Sequence, residues 1–229
     1  MQYIAFIPIL TTAFSAYFLS LIVPHYLERK KMYLLWWSLG VFTFGLGTLS
    51  ESLHALAGWQ ESNVRFWYIV GALLGGFPLA QGTVYLLMPR RFAESTSVLY
   101  IALILIAMGC VVGSPVRIPD SIHAPLSGKV FEWEWVRYFS PFINVYSFLF
   151  LVGGAIYSAR AYYLQGIKHA RFIGNIWIAI GGLLPGIGGS FARIGYVEVL
   201  FVTEFLGLVA IFVGYQTIRK DKALPASTA

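Results

Sequence analysis

Three ionisable side chains stand inside stretches of sequence that are otherwise almost wholly apolar: Glu51, His54 and Glu204. Glu51 and His54 are three residues apart, which puts them on one face of a helix, and Gly47 extends that face by one turn. Glu204 lies about eight residues into its apolar stretch, roughly 12 Å deep at about 1.5 Å per residue. An ionisable group near a bilayer centre costs about 2.5–3.5 kcal/mol on insertion scales, so it faces the inside of a bundle and marks a candidate site. A histidine between two carboxylates can relay protons, bind a divalent ion or hydrogen-bond a polar head such as a quinone carbonyl. Asn144 and Glu198 are further contributors to this ligand-binding or proton-handling group, although Glu198 also stands near enough to Arg193 for an interfacial ion pair. The competing reading places His54 at the interface and leaves Glu51 and Glu204 protonated and hydrogen-bonded between helices. Gln81 and Tyr85, four apart on one face, form a second cluster nearer the opposite membrane surface, either tying helices together or lining a pocket there.

The elements that must carry these residues follow from composition. The chain has 229 residues, 58% hydrophobic, 17% aromatic and 11% charged, against about 25% charged in soluble domains. Mean hydropathy is +0.72. Soluble and disordered classes are excluded together, because disorder requires few aromatics and high net charge. A hydrocarbon core of about 30 Å needs about 20 apolar residues in a helix. Seven stretches meet that length, at 3–26, 33–57, 65–88, 97–113, 138–164, 172–191 and 196–217. The expected class is all-α: a polytopic, seven-transmembrane-helix bundle forming a single membrane domain over 1–229.

Charge sets the expected orientation. The connections after the first, third and fifth spans and the C-terminal tail carry Arg29, Lys30, Lys31, Arg90, Arg91, Arg160, Lys168, Arg171, Arg219, Lys220 and Lys222. Only Arg65, Arg117, Lys129, Arg137 and Arg193 fall on the other side. The positive-inside rule makes the first side cytoplasmic, giving an N-out, C-in protein of a bacterial-type inner membrane. The net charge of +6 is absorbed by this asymmetry and calls for no nucleic acid. The first stretch lacks a basic n-region and is too long for a cleavable signal, so it is expected to remain as a helix.

Three further features bear on the site. The outer loop, 114–137, has a proline-bearing half expected to be irregular and an aromatic and acidic half, Phe131-Glu132-Trp133-Glu134-Trp135, expected in the headgroup layer or as a lid. The sixth span carries Gly181, Gly182, Pro185, Gly186, Gly188 and Gly189, which suits close helix packing or, alternatively, a broken helix. In the third span, Gly75-Gly76-Phe77-Pro78 predicts a kink, because proline removes one backbone hydrogen bond.

Several chemistries lack their residues. There is no phosphate loop and no His-Glu-x-x-His pair, and His25, His54, His123 and His169 show no i, i+4 spacing. Ser50 and His54 have the Ser-x-x-x-His spacing of intramembrane zinc hydrolases, but the companion His-x-x-x-His does not occur. Cys110 is the only cysteine, so no intrachain disulfide or cysteine metal site forms. The seventh span has no mid-membrane lysine for a retinal Schiff base, and paired haem ligands would need two facing histidines. No metal, catalytic residue or cofactor is assigned.

Trp36-Trp37, Glu51, Arg65-Phe66-Trp67-Tyr68 and Tyr85-Leu86-Leu87-Met88-Pro89-Arg90-Arg91 carry a resemblance. The stretch 36–91, about a quarter of the chain, is similar to the second and third helices of the seven-helix N-terminal input modules of some bacterial histidine kinases. It also resembles bacterial seven-helix membrane proteins without an assigned activity. The resemblance implies a membrane sensor. Only residues 220–229 follow the last helix, so a signal is expected to pass to a separate protein in the membrane or at the cytoplasmic face. The expected function is therefore a non-catalytic sensor, binding or accessory subunit embedded in the lipid bilayer, with a polar site open to the outside. The alternatives are a membrane subunit of a respiratory or photosynthetic electron-transfer complex handling quinone or protons, and a transporter or channel.

Overall fold

The computed structural model of the chain describes residues 6–121, 124–166 and 169–223. The start of the first span, His123 and Lys168 lie outside the described residues, as does the side chain of Lys222. Among the described residues the regular elements are all helical, without strands. Seven helical runs are long and apolar enough to cross a membrane: Ile7–Arg29, Met32–Ala57, Glu61–Leu87, Arg90–Gly113, Glu134–Gln165, His169–Arg193 and Val197–Asp221. Number and placement agree with the sequence reading. The fourth run differs most at its boundary, because α5 (Arg90–Gly113) starts seven residues before 97. Its first two turns are polar and escape a hydropathy count, yet they stay helical from Pro89 onward, with Arg90 paired to Glu94 at 2.7 Å.

The chain divides into two compact units, Met1–Ser147 and Phe148–Ala229. In the first, α1 (Ile7–Arg29) begins with Pro8 in its first turn, where a missing N–H costs nothing. It ends at Lys30 in the left-handed conformation, whose N–H bonds Tyr26 O at 2.7 Å. The short connection that results returns the chain as α2 (Met32–Ala57), antiparallel to α1. Ser15 Oγ donates to Val41 O at 2.8 Å, and Thr12 and Thr48 share a 2.9 Å hydrogen bond. The close approach needs Gly45, because a Cβ there would lie 2.5 Å from Ser15 Oγ.

The third run is not one helix. α3 (Glu61–Trp67) passes into a π-helical turn, Tyr68–Leu73, and the backbone opens over 74–76 before α4 (Phe77–Leu87) restarts with Pro78 in its first turn. The kink expected at Pro78 is an interruption just before it. Proline neither donates to the carbonyl four residues back nor tolerates it close by, so the helix ends ahead of the ring and begins again on it. Gly75 is required, because a Cβ there would collide with Gly71 O. α2 packs on this broken segment through Gly47, whose Cβ position is 3.6 Å from Gly71 Cα, and through Gly40 against Leu79. After the outer loop, α6 (Phe139–Phe148) carries the first unit to its end at Ser147.

The second unit contains a π-helical turn, Leu149–Gly153, then α7 (Gly154–Gln165), α8 (His169–Arg193) and α9 (Val197–Ala223). Despite Pro185, α8 is unbroken, and Gly174, Gly181, Gly182 and Gly188 serve packing. Gly174, Gly181 and Gly188 recur at heptad spacing and face Gly214, Gly207 and the Leu200 to Thr203 turn of α9. At Gly181 and Gly207 the neighbours are each other's carbonyl oxygens, so the two backbones touch directly. At another point of the hairpin, Arg171 pairs with Asp221 at 3.2 Å and stacks over the Tyr162 ring.

Candidate functional site

In the first unit the polar residues of α2 and α3 meet. Glu51 is 4% exposed, and the Trp67 indole donates to its Oε1 at 3.1 Å. One residue earlier on α2, Ser50 Oγ donates to Asn63 Oδ1 at 2.7 Å, and Asn63 Nδ2 returns a bond to Ser50 O at 2.9 Å. This reciprocal clamp fixes the register of α3 against α2 and so brings Trp67 to Glu51. His54 is half-buried, one turn from Glu51 on the same helix. Trp67 is the last residue before the π-helical turn, so the buried carboxylate is held at the point where the backbone leaves α-geometry. Such turns concentrate at functional sites.

The far end of that turn is also held by polar groups. Ser140 Oγ donates to Ala72 O at 3.1 Å, and Asn144 Nδ2 reaches the same oxygen at 3.4 Å and Ser140 Oγ at 3.0 Å. Opening the helix at 74–76 frees carbonyls that lipid cannot satisfy, and α6 supplies the donors. Asn144 thus braces the broken helix, and its amide N–H groups are turned to Ala72 and Ser140.

The outer loop closes over the same turn. A single antiparallel bridge joins Val116 and Phe131, with Arg117 N to Val130 O at 2.8 Å and Glu132 N to Pro115 O at 3.0 Å. Phe131 is 1% exposed, and its ring meets Tyr68 edge-on at 5.0 Å. Trp133 and Trp135 stack on each other and stay exposed. The aromatic half of the loop is therefore divided, with Phe131 and Val136 inside and the two tryptophans outside. Arg65 ties this end down, bonding Glu61 and the carbonyls of Val111 and Val112 at the end of α5. A guanidinium there complements the unsatisfied carbonyls and the negative end of the helix.

The second cluster is more extensive than its two sequence-level members. Gln81 is fully buried; its Nε2 donates to Ala93 O and Ser97 Oγ at 2.8 Å each and to Thr96 Oγ1 at 3.2 Å. The Tyr146 phenol donates to Gln81 Oε1 at 2.6 Å, and Ser97 Oγ donates to Tyr85 OH at 3.2 Å. Rings of Trp36, Phe77, Tyr100 and Tyr146 enclose the group, with Tyr100 and Tyr146 4.0 Å apart at their centroids. Gln81 and Tyr85 tie α4 to α5 and α6, as one of their two expected uses required.

Glu204 and Glu198 belong to the second unit. Glu204 is half-buried on α9, next to Thr203, whose hydroxyl is turned back to Val199 O and Leu200 O. Glu198 is exposed in the first turn of α9, and among the described residues no ion pair joins it to Arg193. Among the described residues no three histidine, cysteine, aspartate or glutamate side chains gather as metal ligands. Trp67, Asn63, Ser140, Ser97, Tyr146 and Phe131 are the structural partners that sequence reasoning did not assign to these clusters. Their separations along the chain, sixteen positions for Trp67 and Glu51 and sixty-five for Tyr146 and Gln81, leave no periodic signal. The chain matches no known family model, no curated protein and no solved structure.

Proposed function

We propose that the protein is a non-catalytic sensor, binding or accessory subunit of a bacterial-type inner membrane, N-terminus outside and C-terminus cytoplasmic. Its ligand site is built on Glu51 and His54 of the first unit, and Glu204 is a separate candidate within the second. The observation that carries this reading is the buried carboxylate of Glu51, held by the Trp67 indole beside a π-helical turn in a broken span. An ionisable group retained at such a place is a cost to stability that a purely structural bundle has no need to bear. The opened backbone at 74–76 adds peptide groups beside the same segment. Basic residues on the cytoplasmic connections, Arg29 to Lys31 and Arg90 with Arg91, are the surface offered to a protein partner.

The experiment is native mass spectrometry of the protein released gently from its own membrane, with Glu51→Gln beside the wild type. The reading expects a small molecule retained by the wild type and lost from Glu51→Gln. Identical small-molecule content in both would overturn it, and a stable complex with redox subunits would transfer the site to the electron-transfer alternative.

A further inference from the structure

The outer loop meets the broken third span at Tyr68, and that contact leads directly to Glu51. Gly128 lies flat against the Tyr68 ring, where a Cβ would come within 2.6 Å of Cε2, and Phe131 caps the same ring at 5.0 Å. Tyr68 opens the π-helical turn, and its ring is 6.3 Å from that of Trp67, the indole that donates to Glu51. A continuous series of contacts therefore runs from the loop to the buried carboxylate: Phe131, Tyr68, Trp67, Glu51.

The rest of the segment is lightly held. Glu132, Trp133, Glu134 and Trp135 are all exposed between the buried Phe131 and Val136. The backbone ties are the short bridge to Val116 and the bond from Trp133 N to Ser114 Oγ at 3.2 Å. Segments with few buried side chains and few backbone bonds open at lower free energy than the elements beneath them. In this one, Phe131 and Val136 are the buried side chains, and Phe131 is the one seated on Tyr68.

We propose that residues 127–136 form a strap that governs access to Glu51, closed when Phe131 is seated on Tyr68 and open when it withdraws. This rests on the reading of Glu51 as the ligand site and supplies its regulation. With the strap seated, Tyr68 and Trp67 are fixed and the carboxylate is shut away from the water on the loop side. With Phe131 withdrawn, Tyr68 loses its cap, the π-helical turn is released and Glu51 is reached from that side.

The test is carboxyl labelling of the full chain in lipid nanodiscs with a water-soluble carbodiimide and glycine ethyl ester, mapped by mass spectrometry. In the wild type Glu51 reacts slowly, and the exposed Glu132 reacts fast. Phe131→Ala raises the Glu51 rate by about tenfold or more, as expected when a local opening becomes the dominant state, and leaves Glu132 unchanged. Gly128→Ala, which pushes the strap off Tyr68, acts in the same direction, whereas Phe131→Leu retains most of the protection. Unchanged Glu51 labelling in both Phe131→Ala and Gly128→Ala overturns the strap. Should Phe131→Ala not fold, Gly128→Ala and Phe131→Leu decide alone, and equal labelling of Glu51 in those two and the wild type is again the overturning result. A strap that behaves as stated while no molecule is retained at Glu51 would refute the ligand reading and leave the strap standing, so the two failures are distinct.

Discussion

Replacing Gly181 by alanine adds one methyl group where the α8 and α9 backbones touch directly. The new Cβ would lie 2.5 Å from Gly207 O and 2.8 Å from Ile211 N. Carbon to oxygen contacts begin at about 3.3 Å, so the methyl intrudes by roughly 0.8 Å. Both obstacles are backbone, and no rotamer change relieves them. The helices must part, and separation also opens the contacts made one heptad away at Gly174 with Gly214 and at Gly188 with Thr203. Overpacking of this kind costs about 1–3 kcal/mol, and a backbone obstacle places Gly181→Ala at the upper end, about 3 kcal/mol. Gly186 is the internal control, because a Cβ there meets nothing within 4 Å. Gly186→Ala gains helix propensity of about 0.5–1 kcal/mol and should be neutral or stabilising. The assay is reversible unfolding of the detergent-solubilised protein followed by circular dichroism. Equal stability of Gly181→Ala and Gly186→Ala would refute the backbone-contact reasoning.

Two further substitutions follow from the first unit. Gln81→Leu removes the acceptor of the Tyr146 phenol and the donor to Ser97 in a fully buried position. Orphaned buried groups cost about 1–3 kcal/mol and membrane side-chain bonds average less, so a loss of about 2 kcal/mol is expected in the same unfolding assay. Arg65→Met strips the guanidinium from the carbonyls of Val111 and Val112. Its pair with the half-exposed Glu61 contributes little, so the expected loss is only about 1 kcal/mol, but amide exchange at the end of α5 should accelerate while that of α2 does not.

Hydropathy made the seven runs legible, because twenty apolar residues in a row have few other uses. It could not see the polar first turns of α5, nor that Gly75, Gly76 and Pro78 interrupt the third run instead of bending it. The glycines of α8 show why density misleads and spacing informs. The conspicuous group at 181–189 is shared among faces, with Gly186 and Gly189 meeting nothing, whereas Gly174, Gly181 and Gly188 make the interface through a heptad that Gly207 and Gly214 answer on α9. Glu51 stood out because a carboxylate in an apolar run is costly. Trp67 did not, since tryptophan is at home in any membrane helix and its bond to Glu51 depends on the Ser50 and Asn63 clamp and on the π-helical turn. Phe131 was legible as one of a row of loop aromatics, and only the fold separates it from Trp133 and Trp135. Asn144 was legible as a polar residue in an apolar run, and only the fold shows its amide reaching Ala72 O and Ser140 Oγ beside the broken helix.

The most direct measurement of the central claim is the unfolding stability of Glu51→Gln against the wild type, both stripped of small molecules by detergent exchange. Glutamine keeps an oxygen to accept from the Trp67 indole and removes the burden of a buried ionisable group. A residue kept for binding is a liability in the empty protein, so the account predicts that Glu51→Gln is as stable as the wild type or melts higher, by up to about 2–4 °C per kcal/mol gained. A clear fall in melting temperature would show that Glu51 serves the bundle itself, and would contradict the assignment of this carboxylate to a ligand site.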